Sequence, residues 1–148
     1  MIMARGFLMI DIKGKELTSA DKKILCEPNV GGVILFSRNY ESLKQITELV
    51  DEIRKLKSPS LLIAVDHEGG RVQRFHDGFT LIPPMRQIGR IYDIKKDEAL
   101  GLSREIGWLI GSELRSIGID LSFSPCVDLD WGLSSVIGDR SFHQNKFV

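Results

Sequence analysis

The sequence predicts an α/β protein built on a parallel sheet. Three observations carry that expectation. Four short runs, residues 6–10, 32–36, 60–65 and 119–123, are near-continuously apolar instead of alternating, as strands covered on both faces are. Segments with apolar residues at helical spacing lie between them. The polar residues that look chemical cluster just after the carboxyl ends of the runs, where parallel α/β folds bind ligands.

The elements follow in order. After the first run, Thr18 and Asp21 stand at capping-box spacing, with Asp in place of the usual Glu, and open a short helix through Ile24 and Leu25 that stops near Pro28. The second run leads to Ser42, a cap for a longer helix in which Leu43, Ile46, Leu49, Val50, Ile53 and Leu56 recur at helical spacing. Beyond the third run, residues 66 to about 96 read as one long irregular connection, and a loop of that length in a compact α/β domain is usually functional. A helix from about Asp97 to Ser116 then places Leu100, Ile106, Ile110, Leu114 and Ile117 on one side, with Gly118 as its stop. The fourth run follows.

Strand and helix in repeated alternation, joined by right-handed crossovers, give a parallel sheet. Two architectures fit: an open doubly wound sheet, or the first half of an eight-stranded barrel, for which roughly 250 residues are usual. The pattern alone does not choose between them.

Bulk composition excludes several classes. Of the 148 residues 27% are charged, and 20 basic residues balance 20 acidic ones, so no global field attracts nucleic acid or an anionic membrane. The pairs Lys22-Lys23 and Lys95-Lys96 read as solvated helix faces. Cys26 and Cys126, far apart and in no metal-type spacing, read as small buried apolar residues. The apolar run Phe7 to Ile10 is too short for a secretory signal or a membrane span, so a cytoplasmic location is expected.

The polar set after the strands is Asp11, then Ser37-Arg38-Asn39, then Asp66-His67-Glu68-Gly69-Gly70-Arg71-Val72-Gln73-Arg74, with Asp128 and Asp130 after the fourth and Asp139-Arg140 further on. The third segment is the most informative. An apolar strand runs straight into Asp66, whose carboxylate needs a donor partner or a ligand hydroxyl if it is buried. Gly69-Gly70 permits a tight turn and close approach of a ligand, although such a turn is more often only a turn. Arg71 and Arg74 supply forked donors suited to carboxylates and sugar oxygens. Asp66, His67 and Glu68 are consecutive on an extended segment, where side chains alternate sides, so no metal site and no cofactor are expected. No Gly-rich turn leads into a helix carrying Lys-Ser/Thr, which argues against a phosphate cradle. His76 and His143 read as surface or structural residues without partners, and Trp108 as helix packing. Trp131 has no assigned role.

The combination is more specific than its parts. Val30-Gly31-Gly32-Val33-Ile34-Leu35-Phe36-Ser37-Arg38-Asn39-Tyr40 resembles the second-strand signature of family 3 glycoside hydrolases of the β-N-acetylhexosaminidase branch. Residues 66 to 75 resemble that branch's sugar-binding segment, with His67 where Gln is common, and Ile82-Pro83-Pro84-Met85 continues the pattern. Residues 118 to 128 are similar to its fourth strand, and Ile137-Gly138-Asp139-Arg140-Ser141-Phe142 to the loop after it. The resemblance spans nearly the whole chain in order.

That resemblance implies a (β/α)8 TIM barrel of which this chain carries about the first four strands, residues 1–148 being the N-terminal part of a single barrel domain. It implies a retaining enzyme that releases terminal non-reducing N-acetylglucosamine, serving cytoplasmic recycling of cell-wall muropeptides. Asp66 would take sugar hydroxyls, while Arg74 and Arg140 would line the site and hold substrate. Retention needs a carboxylate nucleophile and a separate proton donor. In this branch the donor resembles a His assisted by Asp in a Lys-His-Phe-Pro-Gly-His-Gly segment, which does not occur in these 148 residues, nor does the later strand that carries the nucleophilic Asp. No catalytic residue is therefore named, and Asp128 and Asp130 receive no catalytic role. The expectation is a truncated chain, inactive alone, whose open sheet edges favour edge-to-edge self-association. The expected partner is a small carbohydrate, with neither nucleic acid nor membrane. Competing readings are a β-glucosidase of the same family, a non-catalytic N-acetylglucosamine-binding or assembly module using Asp66, Arg74 and Arg140, and a flavodoxin-like phosphate binder.

Overall fold

The computed structural model describes residues 6–148, which divide into two compact units. The first comprises the chain up to Val65 together with Leu114–Ser122; the second comprises Asp66–Glu113 and Phe123–Val148.

The first unit holds strands β1 (Leu8–Asp11), β2 (Val30–Leu35), β3 (Leu62–Val65) and, counted in chain order, β6 (Leu121–Ser122). All pairings are parallel and the spatial order is β1-β2-β3-β6. An open doubly wound sheet reverses its strand order at a switch point, whereas a barrel lays strands down in the order the chain makes them. Sequential order therefore settles the choice left open by the pattern in favour of the barrel type.

Local chemistry explains the helices. In α1 (Ser19–Leu25) the capping box is complete: Asp21 N donates to Thr18 Oγ1 at 3.1 Å and Thr18 N to Asp21 Oδ2 at 2.9 Å. Helix α2 (Leu43–Lys55) starts at Ser42, whose hydroxyl accepts from Gln45 N at 3.2 Å, and buries Ile46, Leu49, Val50 and Ile53 as one stripe. Strands β2 and β3 are buried along nearly their whole length, but β1 and β6 are largely exposed or half-buried, contrary to the expectation of strands covered on both faces. The reason is positional: β1 and β6 have a neighbour on one side only in the described sheet.

At the amino end of β3 the Asp120 backbone N donates to Ile63 O at 2.9 Å, and its carboxylate accepts Ile63 N at 3.0 Å. The same carboxylate takes Arg54 Nη2 of α2 at 2.6 Å and Arg115 Nη1 at 3.3 Å. Burial works to raise the Asp120 pKa. The hydrogen bonds from Arg54 and Ile63, with the charges of Arg54 and Arg115, outweigh burial and hold it below the usual carboxylate value.

In the second unit the long connection after β3 is not irregular. It contains an antiparallel hairpin, β4 (His67–Gly69) with β5 (Val72–Gln73), and a helix α3 (Met85–Tyr92) that begins after Pro84. Strands of two or three residues show no alternation, and eight helical residues give scarcely two turns of periodicity. Helix α4 (Lys96–Ser116) lies in this unit as far as Glu113. Its end is a Schellman motif, with Gly118 N bonded to Arg115 O and Ile119 N to Leu114 O, and Gly118 at φ +85°. Ile106, Ile110, Leu114 and Ile117 are buried as expected, but Leu100 is exposed and Ala99 takes its place. One residue advances a helix by about 100°, which carries Leu100 off the stripe that Ala99 shares with Ile106. Trp108, expected to pack, is 72% exposed, on the α4 face opposite to the buried stripe. Cys26 is exposed rather than buried, Cys126 is buried, and both are free thiols.

Candidate functional site

Asp66 directly follows Val65, the last residue of β3, and opens the hairpin of the second unit. Its turn is made by Gly69 at φ +103° and Gly70 at φ +54°. A Cβ on Gly69 would stand 2.7 Å from both Ile82 Cγ2 and Pro83 O, so no other residue fits without moving the backbone. Gly70 N donates to Ile82 O at 2.8 Å. Gln73 is buried and ties the following loop together: its amide donates to Phe75 O at 3.1 Å and Thr80 O at 2.9 Å, and accepts Ile82 N at 2.9 Å.

On this frame the hairpin brings Arg74 back to Asp66, Nη2 to Oδ2 at 2.9 Å, with side chains 26% and 23% exposed. Arg140, in the 3₁₀ turn Gly138–Arg140, meets Glu68 instead. Its Nε donates to Oε2 at 2.9 Å and its Nη2 to Oε1 at 2.7 Å, a two-point fork on a carboxylate that is only 4% exposed. Its hydrogen bonds to Glu68, against a smaller cost of burial and joined by the charges of Glu68 and Asp66, push the Arg140 pKa further up. A second pair runs the other way between hairpin and loop: Arg71 Nε donates to Asp139 Oδ1 at 3.2 Å, and Arg71 Nη2 reaches the carbonyls of Ser135, Val136 and Ile137. Arg71, read as a forked donor suited to carboxylates and sugar oxygens, thus holds the Asp139 carboxylate and the carbonyls of 135–137.

His67 points into an aromatic cluster, its ring centroid 5.9 Å from Phe75 and 5.5 Å from Phe79. Burial lowers its pKa to about 4; the Glu113 carboxylate pulls upward and His76 adds to the lowering. Adjacent side chains on the strand thus part company, Glu68 going to Arg140 and His67 to the aromatic cluster. The side chains of Asp66, His67 and Glu68 have separate partners: Arg74, the aromatic cluster and Arg140. His143 is not unpartnered: Nε2 lies 3.0 Å from Asp93 Oδ1, and Nδ1 accepts Asn145 N at 2.8 Å. An acceptor Nδ1 puts the proton on Nε2, so both nitrogens are occupied by structural bonds. Asp128 is exposed, and the Asp130 carboxylate accepts Gly132 N at 3.0 Å.

The structure gives Asp66 a donor partner in Arg74 and gives Arg140 a partner, Glu68, that sequence reasoning missed. Glu68 belongs to the sugar-binding segment the resemblance implies, but the sequence assigns it no partner. Its signal was a carboxylate two residues beyond Asp66 with an arginine 72 positions later, a separation at which sequence gives no pairing information.

The parallel sheet, with its strands laid down in chain order, is of the barrel type. The chain belongs to the glycosyl hydrolase family 3 N terminal domain family, whose model matches residues 7–148. It is 54% identical over 144 residues to a beta-hexosaminidase of Methylobacillus flagellatus, covering 97% of this chain and 41% of that protein. A beta-hexosaminidase of Nitrosomonas eutropha is 56% identical over 146 residues, with 99% and 42% covered. Among solved structures, NagZ from Neisseria gonorrhoeae in complex with N-trifluoroacetyl-D-glucosamine superposes with a TM-score of 0.95 at 48% identity, covering 97% of this chain and 42% of that one. The chain thus spans about two fifths of the length of the curated relatives it matches, and its strands are the first four of their (β/α)8 barrel.

Proposed function

We propose that the protein carrying this chain is a retaining β-N-acetylhexosaminidase that removes terminal non-reducing β-linked N-acetylglucosamine, and that this chain supplies the sugar-binding part of its site. The observation that carries the reading is the paired constellation Asp66–Arg74 and Glu68–Arg140, three of whose four members keep about a quarter of their side chains accessible. Asp66 accepts from two neighbouring sugar hydroxyls, and Arg74 and Arg140 donate to hydroxyl or carbonyl oxygens. The names of the relatives and the glucosamine derivative bound to the gonococcal protein support the substrate class.

The proposal extends to muropeptides of cell-wall recycling as substrate, to the cytoplasm as the place of work, and to binding without turnover by these 148 residues alone. Association through the open edges of β1 and β6 belongs to the same proposal.

The test compares a chromogenic N-acetylglucosaminide with the matching glucoside, using the protein at its natural length. The acetylated substrate should be strongly preferred, and Asp66→Ala should lower kcat/KM for it about 100-fold or more through loss of hydroxyl acceptors. Preferred turnover of the glucoside, or an unaffected Asp66→Ala variant, would overturn the reading.

A further inference from the structure

We propose that Glu68 sets the charge specificity of this site: by gripping Arg140 at two points, it leaves a charge-balanced site that accepts an uncharged sugar and turns away an anionic one. The inference rests on the sugar-binding reading above and adds a residue and a selectivity to it.

Four ionised groups make up the constellation, and they cancel in pairs. Asp66 balances Arg74 at 2.9 Å, and Glu68 balances Arg140 at 2.7 and 2.9 Å. The pairs differ in which members a ligand can reach. Asp66, Arg74 and Arg140 are each about a quarter exposed, whereas Glu68 is sealed at 4%. Glu68 therefore acts through Arg140 and is a positioning residue, not a ligand contact. Its carboxylate stands in the wall of an otherwise mainly apolar cleft of about 300 Å³ lined by Met85, Ile88, Ile106, Ile110 and Phe142. In such surroundings a carboxylate is held by its arginine, and the pair's fields are weakly screened.

The geometry of the fork matters as much as its charge. The Nε–Nη2 edge of a guanidinium is the one that grips a carboxylate or phosphate at two points. Glu68 occupies that edge and Val136 O accepts from Arg140 Nη1 at 3.3 Å, so what Arg140 can offer a ligand is the remaining N–H of each Nη, from a neutralised pair. That suits the hydroxyl and amide oxygens of an N-acetylated sugar better than the full charge of a phosphate. Removing the Glu68 charge frees the edge and turns a balanced site into one with a net positive charge.

The experiment is titration calorimetry on the protein at its natural length, with N-acetylglucosamine and N-acetylglucosamine 6-phosphate, for wild type, Glu68→Gln and Glu68→Asp. Wild type should bind the neutral sugar more tightly. Glu68→Gln should move the affinity ratio toward the phosphorylated sugar by about tenfold or more, as expected for one uncompensated charge at close range. Glu68→Asp should keep the wild-type ratio even where both affinities fall. Loss of both affinities by the same factor in Glu68→Gln would make Glu68 merely structural and overturn the proposal. Should that variant fail to fold, the wild-type preference decides: equal or tighter binding of the phosphorylated sugar overturns it, and clear preference for the neutral sugar upholds it. Failure of wild type to bind either sugar would instead sink the sugar-site reading itself, with this inference.

Discussion

Two aspartates flank the same strand and do opposite work. Asp120 meets the amino end of β3, accepting Ile63 N, Arg54 and Arg115, so that its carboxylate is saturated by three donors. Asp66 follows the carboxyl end of β3, and its side chain bonds to Arg74. The amino-terminal face of a barrel-type sheet carries stability, and the carboxyl-terminal face carries ligands. The difference between these residues is therefore not carboxylate against arginine, which both share, but how much accepting capacity the fold leaves unspent.

The largest expected effect tests that distinction directly. Asp120→Ala should cost about 3 kcal/mol of stability in chemical denaturation, because it strands three donors at once, two arginines and a strand N–H. Asp66→Ala should cost under about 1 kcal/mol by the same measurement while abolishing sugar affinity. Equal losses of stability in the two variants would erase the comparison.

The pH axis separates the regions again. His67, on the hairpin that follows Asp66, has a folded pKa of about 4 against an ordinary 6.5. Between those values the unfolded chain takes up a proton that the folded one refuses, so stability is greatest above pH 6.5 and falls as the pH drops toward 4. The full loss is about 3 kcal/mol. The Asp120 pKa is depressed, so its stabilisation is present above the ordinary 3.8 and is lost only as the pH falls through the lower folded value. Denaturation midpoints measured from pH 7.5 to 4.5 should therefore decline in wild type and stay much flatter in His67→Gln, whose side chain does not titrate. A decline of equal slope in His67→Gln would assign the acid sensitivity elsewhere.

How much of this was legible beforehand follows from range. The Thr18 box, the Ser42 cap and the α2 stripe were readable because cap and period act within a few residues. Asp66 was readable because an apolar strand ending in a carboxylate is itself a local pattern. The hairpin and α3 were not, since their segments are shorter than the periodicity needed to see them. Glu68 with Arg140, Arg71 with Asp139 and His143 with Asp93 were hidden for another reason: charges 50 to 72 residues apart find each other only once the fold exists. The order of the sheet, which decided between two architectures, is likewise a property of packing and not of any one strand's sequence.

The smallest expected effect supplies the control for the whole comparison. Thr18 is exposed, lies in the first unit, and caps α1 through reciprocal bonds with Asp21. Thr18→Ala removes the hydroxyl half of that box and should cost about 1 kcal/mol in denaturation. Its effect on stability should not change with pH between 7.5 and 4.5, because the group removed does not titrate in that range. Affinity for N-acetylglucosamine should stay within error of wild type, since the lost bonds concern the first turn of a short helix and none of the paired charges of the sugar site. A substantial loss of affinity in Thr18→Ala would mean that stability and binding are not separable in this protein, and the contrast between the two ends of β3 would lose its force.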